Sequence, residues 1–223
     1  MFDVYYTWAN VMAYYSADAL GTPINAHLQN PLDIAADYGQ KLSNLRHRFT
    51  SVVSYTLPLQ GLVGSSEFRR ALFGGWSAQT ILNATSGIPI NVVAGRDLAQ
   101  VQRTDAQRPD AVTGVNPYAI NMNTFQWLNP AAFDSATPAR ERRYGNLGYN
   151  ALRGPGAFNF DAALHKRFQI RERQALTFRL EMFNALNHMN PGNPTNSAAN
   201  VNFGYILSGS GGRNIQLGLK YTF

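Results

Sequence analysis

Arg213-Asn214-Ile215-Gln216-Leu217-Gly218-Leu219-Lys220-Tyr221-Thr222-Phe223 is the stretch whose reading decides the fold. Ile215, Leu217, Leu219, Tyr221 and Phe223 alternate strictly with Asn214, Gln216, Gly218, Lys220 and Thr222. A period of two belongs to a β-strand, whose successive side chains stand on opposite faces of its sheet. One face of this strand carries only large apolar groups, and the other carries none.

Working outward, the same alternation predicts five more long strands: Phe2 to Asn10, Arg46 to Leu57, Leu72 to Thr85, Ala157 to Phe168 and Ala175 to Leu186. In the second, Phe49, Ser51, Val53, Tyr55 and Leu57 face one way, and the polar face is interrupted at Val52. In the fourth, Phe158, Phe160, Ala162, Leu164 and Phe168 oppose Asn159, Asp161, Ala163, His165 and Arg167; in the fifth, Leu176, Phe178, Leu180 and Met182 oppose Thr177, Arg179, Glu181 and Phe183. Each stretch is close to the roughly nine to eleven residues a tilted strand needs to cross a hydrocarbon layer.

The connections alternate long, short, long, short, long. Ser16 to Asn44 is polar, Pro58 to Arg70 is a turn region with room for one helical turn, and Ala94 to Gly156 is dense in Asn, Asp, Pro, Gly and Arg. Ser86-Gly87-Ile88-Pro89 breaks the third strand, with Ile90 to Val93 expected to prolong its ribbon. Gln169 to Gln174 is a short charged turn, and Asn187 to Gly212 is polar and Gly-rich. A segment as long as Ala94 to Gly156 is expected to be functional or flexible. Short turns on one side and long loops on the other are the habit of outer-membrane barrels, and the parity places the last strand's end in the periplasm. The expected fold is all-β: an antiparallel up-and-down transmembrane β-barrel, partial, with about six long strands, long extracellular loops and an incomplete wall. Small natural barrels have about eight strands. An open edge in lipid leaves backbone groups unpaired, at several kcal/mol each. The remaining strands are therefore expected from sequence outside this chain.

Composition agrees. Among 223 residues 45% are hydrophobic and only 14% charged, with eleven Tyr and thirteen Phe, a mixture that suits strands and irregular loops. The absence of Cys excludes disulfide scaffolds, thiolate metal sites and cysteine nucleophiles. The net charge of +6 is scattered in ones and twos, as in Arg46-His47-Arg48, Arg69-Arg70, Arg140 to Arg143 and Arg171 to Arg173, with no basic stripe that would bind nucleic acid. No run of eighteen apolar residues exists, so no transmembrane helix is expected, a fact silent about strands. The amino-terminal stretch has no export-signal pattern, since its first cation is Lys41 and Ala17-Asp18-Ala19 only faintly resembles a cleavage site. The chain reads as a piece of something larger.

Several short motifs in order complete the picture: Arg46-His47-Arg48-Phe49 before Tyr55-Thr56-Leu57-Pro58, Gly74-Gly75-Trp76, Ser86-Gly87-Ile88-Pro89, Arg108-Pro109-Asp110, Trp127 through Phe133, Arg153-Gly154-Pro155-Gly156 with Asn159 and Asp161, Phe183 through His188, Phe203-Gly204 and Tyr221-Thr222-Phe223. Together they resemble the carboxy-terminal barrel portion of Oar-like TonB-dependent outer-membrane receptors, over nearly all of the chain from about residue 35. The resemblance implies a barrel of about 22 strands plugged by an amino-terminal domain, moving a bulky substrate with energy delivered by TonB. The plug, the TonB box and most strands of that plan lie outside the 223 residues. Residues 1–223 then correspond to the last part of the wall. The implied partners are outer-membrane lipid, the barrel-assembly machinery, the plug and remaining strands, and TonB through the missing amino-terminal part.

Faces and loops supply the candidate residues. Membrane-facing positions, including the assembly signal at the end, are Phe178, Leu180, Met182, Ile215, Leu217, Leu219, Tyr221 and Phe223; lumen-facing positions are Asp161, His165, Arg179 and Glu181. Tyr5, Trp8, Tyr55, Trp76, Phe158 and Phe168 are expected with Tyr221 and Phe223 near strand ends or on the lipid face, as girdle aromatics. Trp127, Phe125 and Phe133, with Tyr118, offer loop surfaces for stacking on a sugar or siderophore, or else glue the loop to itself or to the rim. His27, His47, His165 and His188 lack metal-ligand spacing, so no metal or other cofactor is expected. His165 reads as a polar lumen residue, and His47 and His188 as residues that steady loop ends. Asp161 and Glu181, placed opposite each other by a hairpin centred near Arg171 with Arg179 diagonal to Asp161, read as a lumen charge network rather than an acid and base, and no enzyme activity is expected. Ser208-Gly209-Ser210-Gly211-Gly212 lacks the Lys of a phosphate loop and reads as a flexible tip. The alternatives are a self-contained smaller barrel, porin-like or adhesive, and a soluble β-sandwich that binds carbohydrate.

Overall fold

The computed structural model describes residues 1–14, 28–59, 72–171 and 173–223. His27, Arg69-Arg70 and Ala17-Asp18-Ala19 lie outside these residues, as does most of the turn from Pro58 to Arg70. Among the described residues six long strands form one sheet: β1 (Phe2–Trp8), β2 (His47–Thr56), β3 (Trp76–Thr85), β4 (Ala157–Arg171), β5 (Gln174–Phe183) and β6 (Asn214–Thr222). Each pairs antiparallel with its sequence neighbours, so the order in space is the order in the chain. Within this sheet β1 and β6 are each paired on one side only, and it does not close.

The boundaries shift where local chemistry overrides alternation. Leu72 and Phe73 form a helical turn, and β3 starts at Trp76 after Gly74-Gly75. β5 stops at Phe183 because Asn184 and Asn187 adopt left-handed φ values of 50° and 52° in a turn. β4 runs past Phe168 to Arg171, with a register shift between Gln169 and Arg171.

Direct partners in an antiparallel pair share a face. The pairs Phe160↔Leu82, Leu164↔Leu180, Phe178↔Leu219, Leu180↔Leu217 and Met182↔Ile215 therefore carry one apolar face across the sheet. It continues through Phe49↔Ala84 and Tyr55↔Ala78 to Tyr6↔Phe49 and Phe2↔Val53. No layer of the described residues covers it. Leu217 is 71% and Leu219 69% exposed, and the only buried apolar residue of the six strands is Ala175. A β-sandwich would bury this face against a second sheet.

The hydrophobic core lies elsewhere. The long connections 9–46, 86–156 and 184–213 leave the same end of the sheet, and Ile90, Val92, Leu128, Leu147 and Leu152 of the second enclose Phe203 of the third. Far from a flexible loop, residues 86–156 form the centre of a folded cap. The sheet runs into it: across Ser86-Gly87-Ile88, Pro89 and Ile90 pair with Arg153 and Leu152 in the register already set by Thr85↔Ala157. Ile90 thus prolongs the third strand's ribbon as expected. Gly87 permits the crossing, because a Cβ there would lie 1.8 Å from the carbonyl oxygen of Gly154. Ser208 to Gly212 is also no loose tip, since Gly209–Ser210 pairs with Asn190–Pro191.

Candidate functional site

The sheet's two faces present opposite chemistry to their surroundings. Phe178, Leu180, Met182, Ile215, Leu217, Leu219 and Tyr221 all stand on the apolar face, and Phe223 follows at its end, ring-stacked on Tyr221 at 6.0 Å. Asp161, His165, Arg179 and Glu181 all stand on the other. Their neighbours there are Thr50, Gln79, Asn83, Gln216 and Lys220. A shallow hollow of about 390 Å³ lies where Val52 and Ile81, direct partners, interrupt this polar face beside Asp161, Glu181 and Phe183.

The charge network differs from its expected layout. The hairpin is centred one residue later than Arg171, so Glu181 pairs with Ala163 and Arg179 with His165. Asp161 is then diagonal to Glu181, and Arg179 lies farther off. Instead Asp161 accepts hydrogen bonds from Asn159 Nδ2 and from the backbone N–H of Asn184, both at 2.8 Å, and so ties β4 to the turn after β5. His165 Nε2 lies 3.9 Å from Glu181 Oε1.

Two further placements matter. Tyr5 pairs with Thr50 and stands on the polar face, not on the lipid face expected of it, whereas Tyr6 stands on the apolar face with its hydroxyl 2.8 Å from His47 Nδ1. Lys166, which the alternation skips over, stands on the apolar face opposite Trp76 and Phe178, yet is only 1% exposed. Its ammonium donates to the carbonyl of Gly74 and lies over the rings of Phe168, at 4.7 Å, and Trp76, at 5.8 Å. An aromatic cage thus lets one cation sit on an oily face, its charge turned toward the end of the short turns.

At the other end, buried polar residues lock the three connections into the cap. Arg108, 1% exposed, pairs with the equally buried Asp37 and donates to the carbonyls of Ala36 and Leu147, both at 2.8 Å. Its backbone N–H donates to Gln29 Oε1 at 2.8 Å, and Gln29 Nε2 reaches the carbonyl of Gly145 at 3.0 Å. Arg153 donates to the carbonyls of Asn44 and Gly87 at 3.0 and 2.8 Å and to Gln40 Oε1. Burial pushes its guanidinium below the ordinary range. The third connection joins by backbone bonds, Val93 N–H to the Asn196 carbonyl at 3.0 Å and Ala198 N–H to the Val93 carbonyl at 2.8 Å. Asp110 accepts two bonds from Arg143, at 2.9 and 2.6 Å, which hold its carboxyl below the usual range. The Arg108-Pro109-Asp110 and Arg153-Gly154 motifs are therefore the cap's fasteners.

The aromatic loop residues divide. Trp127 donates its indole N–H to the carbonyl of Arg153 at 2.8 Å and packs edge-on to Tyr118, so both glue the loop. Phe125 is exposed, with φ of 55°. Phe133 packs edge-on to Phe203 at 5.3 Å and borders a second cavity on the cap. Of the four histidines, His47 steadies a strand end, and His188 bonds through its backbone N–H to Asn184 Oδ1 at 2.9 Å and meets Phe158 edge-on.

An uncovered apolar face, a polar face behind it and a sheet meander roofed at one end define a class of protein: the strand wall of a bacterial outer-membrane β-barrel. A family model described as "Outer membrane beta barrel domain" matches residues 1–216, and the chain belongs to that family. Its place is accordingly the bacterial outer membrane. No curated protein and no solved structure matches it.

Proposed function

We propose that the chain is the carboxy-terminal wall of a TonB-dependent, Oar-like receptor that moves a bulky substrate across the outer membrane, without chemistry of its own. The apolar face is the lipid contact, and Asp161, His165, Arg179 and Glu181 line the lumen. The cap lies outside the cell, and the short turns lie in the periplasm. The observation that carries the reading is the open six-stranded meander. Both of its edges expose backbone groups that a bilayer does not tolerate, and additional strands of a wide barrel satisfy them. A wide, wet interior also suits a face with three carboxylates and four Arg or Lys side chains. The partners on this reading are lipid, the assembly machinery, the plug and the missing strands, with TonB acting through the plug side.

The genomic sequence upstream of Met1 tests it. A continuous reading frame encoding a plug-like domain and more alternating strands supports the receptor. A signal peptide directly before Met1 overturns it in favour of a smaller self-contained barrel.

A further inference from the structure

The cavity beside Phe133 opens at the edge of the cap core, where Phe133, Phe203 and Ala198 meet a charged rim. It measures about 270 Å³ and is bordered by Arg96, Phe133, Asp134, Ser135, Ala198 and Phe203. It joins an apolar side, made by two aromatic rings and Ala198, to a polar rim that carries both charges.

The frame of this rim is fixed. Arg96 follows Gly95, whose φ is 69° and whose added Cβ would lie 2.2 Å from Ser197 Oγ and 2.9 Å from Ala199 Cβ, so the chain approaches the third connection as only glycine allows. After it, Asp97 accepts the backbone N–H groups of Val101 and Gln102 at 3.1 and 2.6 Å and the Gln107 amide at 2.7 Å. Arg96 itself is exposed and, among the described residues, has no hydrogen-bond or ion-pair partner. Opposite in charge, Asp134 sits in a short strand pair with Asp110. Its Oδ1 accepts the N–H groups of Ala136 and Thr137 at 2.7 and 3.2 Å and the carboxylate is also bonded by the Thr137 side chain, three donors against the four lone-pair positions a carboxylate offers, so one acceptor position remains.

We propose that this cavity binds one neutral sugar ring. A rim holding a guanidinium and a carboxylate repels neither donors nor acceptors. A simple anion meets Asp134 and a simple cation meets Arg96, whereas a ring of hydroxyls donates to one and accepts from the other. The C–H face of such a ring is apolar and matches Phe133 and Phe203. The volume falls just short of the roughly 300–1,000 Å³ of drug-sized ligand sites, which limits the occupant to about a single ring. The proposal rests on the outer-membrane reading only for the cap's exposure to the medium, and binding in micelles is measured without transport.

Saturation-transfer NMR on the full chain in detergent micelles, with D-glucose and D-galactose as probes and glycine and acetate for comparison, tests it. Saturation is expected on the ring C–H protons of at least one sugar. Arg96→Gln is expected to weaken binding about tenfold or more, the loss of a hydrogen bond to a charged group. Because Arg96 is unpaired, that variant is expected to keep wild-type thermal unfolding, and Phe133→Leu serves as a second variant with loss of the C–H signal. Absence of sugar binding, preference for glycine or acetate, or unchanged affinity in Arg96→Gln would each overturn the site. None of these results bears on insertion or on the strand wall.

Discussion

Arg108 and Asp37 show how much one buried pair holds. Both side chains are almost wholly enclosed, and the pair joins the first long connection to the second. Removing one partner strands the other charge, a change that typically costs about 3–5 kcal/mol. Arg108→Met is therefore expected to open the cap by about that amount, read as faster tryptic cleavage within residues 86–156. Adding Asp37→Leu should recover much of the loss. The cap's carboxylates also set a pH dependence. Asp97, Asp110 and Asp134 are held below their ordinary value of 3.8, by Gln107, Arg143 and Thr137 first of all. Folded values lower than unfolded ones add stability above pH 3.8, and it drains away as the pH falls through the folded values. Near-ultraviolet circular dichroism of the cap aromatics should hold steady from neutral pH to about 4 and decline below it, and a signal that strengthens on acidification would contradict this. The Arg108–Asp37 pair could not be read from the chain alone, because its members are 71 residues apart and carry no periodic signal. Lys166 was hidden differently: a cation in an apolar row looks like a break until Trp76 and Phe168 are seen to enclose it.

At the scale of the strand, alternation was enough to find all six long strands and to separate apolar from polar residues on the second, fourth, fifth and sixth. A period-two pattern survives any tertiary context that keeps one face in oil. What it could not supply was register. The ladder from Ala162↔Met182 to Gln169↔Ala175 is centred one residue past Arg171, which sets Glu181 opposite Ala163 and separates Asp161 from its expected partner. Ends were also lost where glycine or left-handed asparagine stopped the ladder, at Gly75 and Asn184. The face assignment has a direct consequence on β5. On the proposed topology Leu180→Arg puts a charge on the lipid side and is expected to cost about 2–4 kcal/mol if the position lies near the midplane, while Arg179→Leu costs less. Denaturant unfolding of the two variants in lipid bilayers measures the difference, and equal costs would overturn the face assignment.

For the whole molecule, the cap was the part least legible. Its core residues, Ile90, Val92, Leu128, Leu147, Leu152 and Phe203, follow no period, and its strands are two to four residues long. Gly, Pro and Asn between them gave the composition of a loop, although the side chains meet in three dimensions. Trp127 likewise reads as a stacking surface until its indole is found bonded to Arg153. The wall's far end carries a prediction of its own. On the receptor reading, Phe223 and the alternation before it are what the assembly machinery grips. Deleting Phe223, or replacing it by Asp, is expected to reduce the heat-modifiable, membrane-inserted fraction strongly, and unchanged gel migration would count against that role.

The cap draws its interior from more than one connection, and this sets an order of events in biogenesis. On the proposed topology residues 86–156 and 184–213 must be threaded outward as slack chain, since Phe203 cannot find Leu128 until both have arrived. Once they condense, the knot of side chains is too bulky to retrace the passage, and the hairpins below it are latched against slipping back.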